Sequence, residues 1–127
     1  MHKLKLDSGQ VRQFGGSDQL LTRLYEHASA LIYPSLYEGF GIPPLEAMSH
    51  NCPVICGKTS SIPEVVGDAG AYFDSEDIHS IRSTIEEVVG SESHRRALIE
   101  KGQARLNCFS WDRCAAETLK VYKQLLV

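Results

Sequence analysis

Two carboxylates, Glu38 and Glu46, flank Gly39-Phe40-Gly41-Ile42-Pro43-Pro44-Leu45, and no other stretch of the chain is as well suited to chemistry. An ionised carboxylate only accepts hydrogen bonds, so each can take them from two neighbouring hydroxyls, the arrangement that ribose and hexose diols present. Between the two acids, the N–H groups of Gly39 to Ile42 lie near a helix start, where they can face an anion, and glycine lets a ligand approach the main chain closely. A sugar joined to a diphosphate suits this combination. Charge-assisted bonds of this kind contribute about 1.5–3 kcal/mol each, a sizeable part of a micromolar affinity. A plainer reading places Glu46 in the first turns of a helix, where the macrodipole favours acids, and Glu38 in a solvated loop. Residue types alone leave both readings open, since fold does not assign function.

The elements around this stretch follow from its neighbours. Ala30-Leu31-Ile32-Tyr33 has the length and composition of a buried strand and ends at Pro34, which cannot donate to a central ladder. Pro43 and Pro44 have φ preset for a first helical turn, so the spacing predicts a helix from about Pro43 to His50, stopped at Asn51. The acids therefore sit beyond the carboxyl end of a strand.

Elsewhere, Val11-Arg12-Gln13-Phe14 alternates as a short strand ended by Gly15-Gly16. Ser17 or Asp18 caps a helix whose apolar positions are Leu20, Leu21, Leu24 and Ala28. Pro53-Val54-Ile55-Cys56 reads as a buried strand, and Gly57-Lys58-Thr59-Ser60 as the loop leaving it. Ser61-Ile62-Pro63-Glu64 has the S-x-x-E spacing of a capping box, which gives Glu64 a structural role. Gly67-Asp68-Ala69-Gly70 breaks that short helix before a last strand at Ala71-Tyr72-Phe73. Three helices follow. The first starts at Asp77 with Ile78, Ile81, Ile85, Val88 and Val89 on one face, and stops at Gly90. The second runs from about Ser93, carries Ala97, Leu98 and Ala104, and is weakened at Gly102. The third is capped by Ser110 and carries Trp111, Ala115, Leu119, Tyr122, Leu125 and Leu126 on one side. Strands alternating with helices, then a helical tail, predict an α/β layer with parallel strands.

The 127 residues fit one domain able to bury roughly two-thirds of its unfolded surface. No apolar run approaches the ~20 residues of a membrane span, and Met1 to Asp7 has no signal-peptide core, so the expected setting is the cytoplasm, with peripheral placement at the inner membrane face as a variant. A net charge of −3 without a basic, aromatic-interleaved stripe argues against nucleic acid as partner. Cys52/Cys56 and Cys108/Cys114 do not match the C-x2-C knuckle of a zinc site or redox pair and read as reduced thiols; a structural zinc module would require metal in the purified protein. His27, His50, His79 and His94 show no spacing that suggests metal or catalysis.

Two phosphate-loop lookalikes each lack a defining glycine. Gly57-Lys58-Thr59 follows a strand as the end of G-x-x-x-x-G-K-[ST] would, but the first glycine would fall at Cys52. Gly39-Phe40-Gly41 opens a G-x-G-x-x-G whose last glycine would fall at Pro44.

Tyr33-Pro34-Ser35-Leu36-Tyr37-Glu38-Gly39-Phe40-Gly41-Ile42-Pro43-Pro44-Leu45-Glu46-Ala47-Met48, with Pro53-Val54-Ile55 and the segment Ser60 to Gly70, closely resembles the family-4 glycosyltransferases, and the resemblance runs from Val11 through Phe109-Ser110-Trp111 and the last helix. These are retaining enzymes of GT-B type with two Rossmann-like domains, and the acid pair matches their E-x7-E motif. The resemblance implies that Glu38 is the catalytic-site acid and holds hydroxyls of the donor sugar. It implies that Gly39, Phe40, Gly41 and Ile42 offer backbone contacts to sugar and phosphate, and that Glu46 holds the nucleotide ribose. It implies a UDP- or GDP-linked sugar as donor, an acceptor the sequence does not specify, and neither cofactor nor metal.

By the same resemblance, an acceptor domain and two donor-domain strands with a basic Arg/Lys pair would precede the segment matching Val11. In the strand order 3-2-1-4-5-6 the strand at Val11 is third and that at Ala30 fourth. The expected fold is thus a partial Rossmann-like parallel sheet with flanking helices and a helical C-terminal tail, one donor-binding domain over residues 1–127 that is incomplete on its N-terminal side. Its exposed sheet edges imply either a fragment of a longer enzyme or a chain completed by a partner strand, as in a swapped homo-oligomer. The expected function is retaining glycosyl transfer from a nucleotide-diphosphate sugar, with a chain inactive by itself. The alternative is a non-catalytic nucleotide-sugar binding or interaction module derived from such an enzyme.

Overall fold

The computed structural model describes residues 9–126; the expectations for Met1 to Ser8 lie outside them. In chain order the elements are α1 (Asp18–His27), β1 (Leu31–Tyr33), α2 (Ile42–Ser49), β2 (Val54–Gly57), α3 (Ile62–Val66), a 3-10 turn (Gly67–Ala69), β3 (Gly70–Phe73), α4 (Ile78–Gly90), α5 (Glu92–Leu106) and α6 (Trp111–Leu125).

Val54-Ile55-Cys56-Gly57 has no charged side chain to present to water, and β2 is buried along its whole length at the centre of a parallel sheet of order β1-β2-β3. Leu31 pairs with Val54 and Tyr33 with Cys56 on one side, and Val54 with Gly70 and Gly57 with Phe73 on the other. Alternation sends side chains to both faces, and both are covered, as parallel sheets require. Val54 and Cys56 join Ala47 and Met48 of α2 and Ile62 and Val66 of α3 in one cluster. Ile55 meets Phe73, Val88 of α4 and Leu98 of α5 in the other.

Most of the expected elements form within a residue or two of their predicted ends, including the stop at Asn51, whose φ of 57° is the left-handed conformation that ends a helix. Several expectations are corrected. Val11 to Phe14 is not a strand: all four residues are exposed and extend no sheet, because among the described residues there is no neighbouring strand to pair with. The helix at α1 forms, but Leu20, Leu21 and Leu24 remain exposed and Tyr25 is its buried residue. Gly102 does not interrupt α5; it is buried where a Cβ would stand 3.0 Å from Met48 Cγ, so glycine lets α5 close on α2, while Ala97 and Ala104 face outward. On α4, Ile81, Ile85 and Val88 pack inward, whereas Ile78 and Val89 are exposed. Asp77 and Ser110 do cap their helices, accepting from His79 N and Arg113 N, yet α6 buries none of its residues.

Candidate active site

β1 ends at Tyr33, Pro34 prevents further pairing, and the chain then turns over the carboxyl ends of the strands into α2. Gly41 makes the turn possible. Its φ is 101°, it is buried, and a Cβ there would stand 2.7 Å from Ile62 Cδ1, so both conformation and space exclude a side chain. Pro43 and Pro44 follow in the first turn of α2. The N–H groups of Gly39, Phe40 and Gly41 donate to no acceptor among the described residues; Gly41 is the N-cap of α2 and the other two immediately precede it.

Glu38 lies in the loop after β1 and is partly exposed, but its carboxylate is not left to water alone. Its Oε1 accepts from Tyr33 Oη at 2.6 Å and from Ser35 Oγ at 2.8 Å. The two hydroxyls, Tyr33 first, hold its pKa below the usual carboxylate value. Tyr33 in turn is pushed up to about 12, by partial burial and then by donating to Glu38. The backbone of the same residue is fixed from the loop that follows the neighbouring strand β2: Ser60 Oγ donates to the Glu38 carbonyl at 2.7 Å, and Ser61 Oγ lies 3.0 Å from that carbonyl and 2.8 Å from the carbonyl of Phe40. Thr59 Oγ1 donates to the Ser35 carbonyl at 2.7 Å. Ser60 adopts φ 51°, a left-handed conformation uncommon outside glycine, to reach this position.

The capping box expected at Ser61 is therefore not formed. The Ser61 side chain makes no cap bond to α3, because its hydroxyl is engaged by the glycine turn. Glu64 is exposed, and its carbonyl and that of Val65 accept from Arg105, at 2.8 Å for Val65. The Arg105 guanidinium also lies 5.1 Å over the ring of Phe109, which meets Phe40 edge-on at 5.9 Å. Phe40 is otherwise half exposed, so this ring contact is its anchor.

Glu46 lies in the second turn of α2, past the residues that a helix N-terminus favours as acids, which removes the simplest dipole account of it. It is exposed, and Tyr25 Oη stands 3.5 Å from its Oε2 while the Tyr25 ring stacks on His50. Burial, and secondarily the charge of Glu46, raises the Tyr25 pKa. Each acid of the pair thus has a tyrosine as partner. Tyr33, Ser35, Thr59, Ser60 and Ser61 had no part in the sequence-based site; the Thr59-Ser60-Ser61 run of hydroxyls was the available signal.

Cys52 and Cys56 are buried free thiols, Cys108 and Cys114 exposed ones. Among the described residues no group of histidine, cysteine and carboxylate side chains is assembled to hold a metal ion. Among the described residues no helix is long and apolar enough to cross a membrane.

Residues 2–105 match the family model described as glycosyl transferases group 1. The chain is 42% identical over 118 residues to the O-antigen chain mannosyltransferase B of Escherichia coli, covering 92% of this chain and 31% of that protein. It is 33% identical over 116 residues to the MMP alpha-(1->4)-mannosyltransferase of Mycolicibacterium hassiacum, covering 88% and 28%. Its fold superposes on sucrose-phosphate synthase from Thermosynechococcus elongatus with a TM-score of 0.80 at 25% identity, covering 93% of this chain and 31% of that one. The chain thus spans about a third of the length of each of these three proteins. With a parallel α/β layer of the kind found in such enzymes and the family model covering most of its length, the chain belongs to the glycosyl transferases group 1.

Proposed function

We propose that this chain binds a nucleotide-diphosphate sugar and forms the donor-binding part of a retaining glycosyltransferase. The observation that carries the reading is the pairing of an ionised, hydroxyl-held Glu38 with the unengaged N–H groups of Gly39 to Gly41 at the start of α2. An acceptor-only carboxylate beside main-chain donors matches a ligand that is hydroxyl-rich at one end and anionic next to it. In this reading Glu38 takes hydroxyls of the donor sugar at the reacting end. Gly39, Phe40, Gly41 and Ile42 line the sugar and diphosphate, and Glu46 takes the ribose. The names of the relatives support mannose as the transferred group, which favours a GDP- over a UDP-linked donor. Bases that neutralise the diphosphate and the wall that selects the acceptor are assigned to parts of the enzyme beyond this chain, so the chain by itself is inactive. The protein works on the cytoplasmic side, where nucleotide sugars are made.

Calorimetric titration of the chain with GDP, GDP-mannose, UDP and UDP-glucose tests the assignment. Glu46→Ala is expected to weaken both free nucleotides and their sugars, and Glu38→Ala to weaken the sugar-linked forms alone, each by about 10-fold or more, the worth of one charge-assisted bond. Equal losses from both substitutions for free nucleotide would contradict the roles given to the two acids.

A further inference from the structure

We propose that Tyr33 and Ser35 are positioning residues for sugar recognition: their hydroxyls converge on one oxygen of Glu38, at 2.6 and 2.8 Å, and leave Oε2 as the oxygen turned to the ligand. This inference rests on the reading that Glu38 accepts from the donor sugar. A carboxylate oxygen has two lone-pair sites, and two donors within hydrogen-bond distance fill both on Oε1. The carboxylate is then no longer a rotor that can spread a diol over its two oxygens. It is a fixed acceptor with one free edge.

The two donors differ in what they contribute. Tyr33 is the last residue of β1, held in register opposite Cys56 of the buried central strand, so its phenol is delivered from a rigid element. Ser35 stands two residues on, beyond Pro34, and its hydroxyl also lies 3.1 Å from the Tyr37 carbonyl; the shorter contact is the one to Glu38. Its own carbonyl is held by Thr59. Main chain and side chain of Glu38 are therefore fixed independently, by Ser60 and Ser61 at the carbonyl and by Tyr33 and Ser35 at the carboxylate. Such fixing lowers the ordering cost that a long acidic side chain would otherwise meet when it grips a hydroxyl. The titratable groups acting here are Tyr33, which faces Glu38 directly, and Tyr25 of α1, which acts electrostatically on Tyr33 and partners Glu46. Because the Tyr33 phenol titrates near 12, it remains a donor throughout the range in which Glu38 ionises.

The test compares wild type, Tyr33→Phe, Ser35→Ala and Glu38→Gln. The Glu38 carboxyl is followed by carbon NMR as pH is varied, and GDP-mannose and GDP are titrated into each variant at pH 7. Expected are an upward move of the Glu38 midpoint in Tyr33→Phe and a smaller one in Ser35→Ala. GDP-mannose affinity should fall about 3- to 10-fold in Tyr33→Phe with GDP unchanged, and adding Tyr33→Phe to Glu38→Gln should cost little more, since the phenol acts through the carboxylate. A Glu38 midpoint unmoved by both hydroxyl deletions overturns the proposal. So does a GDP-mannose loss in Glu38→Gln that neither deletion reproduces, an outcome that leaves the donor reading standing. If instead the midpoints move but Glu38→Gln binds GDP-mannose like wild type, or wild type binds neither probe, the donor reading of Glu38 fails and the inference fails with it.

Discussion

At the scale of residues, the chemistry is carried by side chains whose partners come from different parts of the chain. Glu38 and Glu46 are legible as a pair because their type and interval are local properties of the sequence. What makes Glu38 more than an exposed acid is not local: Ser60 and Ser61 lie more than twenty residues away and reach it through the pairing of β1 with β2. The Ser61 spacing predicts a capping box, a nearby use of the same hydroxyl, but the tertiary contact to the Glu38 and Phe40 carbonyls takes it instead. Because hydroxyl donors depress the Glu38 pKa, its bonds to Tyr33 and Ser35 stabilise the fold at neutral pH, and that contribution is lost as pH falls through the lowered folded-state value. The cysteines make a second residue-scale prediction. Burial pushes the Cys56 thiol up to about 12 and raises that of Cys52, so neither offers thiolate near pH 8, whereas Cys108 and Cys114 are exposed. A disulfide reagent such as DTNB should release two equivalents promptly from the native chain and four only after denaturation; four prompt equivalents would contradict the burial of β2.

At the scale of elements, glycine decides how closely the pieces of the site approach. The turn into α2 depends on Gly41, which carries a positive φ and leaves no room for a Cβ beside Ile62 of α3. Gly41→Ala is expected to destabilise the chain by about 1–3 kcal/mol through backbone strain and the clash with Ile62, read as a lower urea midpoint. Because the turn also aims the N–H groups of Gly39 to Gly41, the surviving folded protein should bind GDP more weakly; unchanged stability and binding would mean the turn is not fixed at this residue. Gly102 plays a comparable part between α5 and α2, although its sequence context suggested a weak point in a helix. The two situations look alike in sequence because a glycine inside a helical pattern reports a missing side chain and not the neighbour for which it makes room. The parallel strands and their covering helices were legible from apolar runs and turn residues, since these are short-range signals.

At the scale of the whole molecule, the described part of the chain has a well-covered centre and uncovered flanks. β2 is buried on both faces, but β1 forms an edge with Ile32 43% exposed, and Leu20, Leu21 and Leu24 of α1 lie open to solvent. The apolar side of α6, with Trp111, Leu119, Tyr122 and Leu125, is exposed throughout. The amphipathic patterns of α1 and α6 predict helices, which form, but they do not predict burial: periodicity announces an apolar face, and burial depends on what is present to cover it. A helix of about 12–15 residues is marginal in water without packing, and α6 has for support the Ser110 cap and the exposed Arg113–Glu117 pair. Amide hydrogen exchange should therefore rank the elements. Residues 54–57 should exchange at the rate of global unfolding, while residues 111–125 should exchange several orders of magnitude faster, through local fraying. Trp111, the single tryptophan, gives an independent reading: at 81% exposure its emission should be that of a solvated indole, fully open to iodide quenching. Slow exchange in α6 together with a shielded Trp111 in the purified chain would require a cover over that face. Loss of both effects on dilution would then identify the cover as a second copy, because intramolecular packing does not depend on concentration.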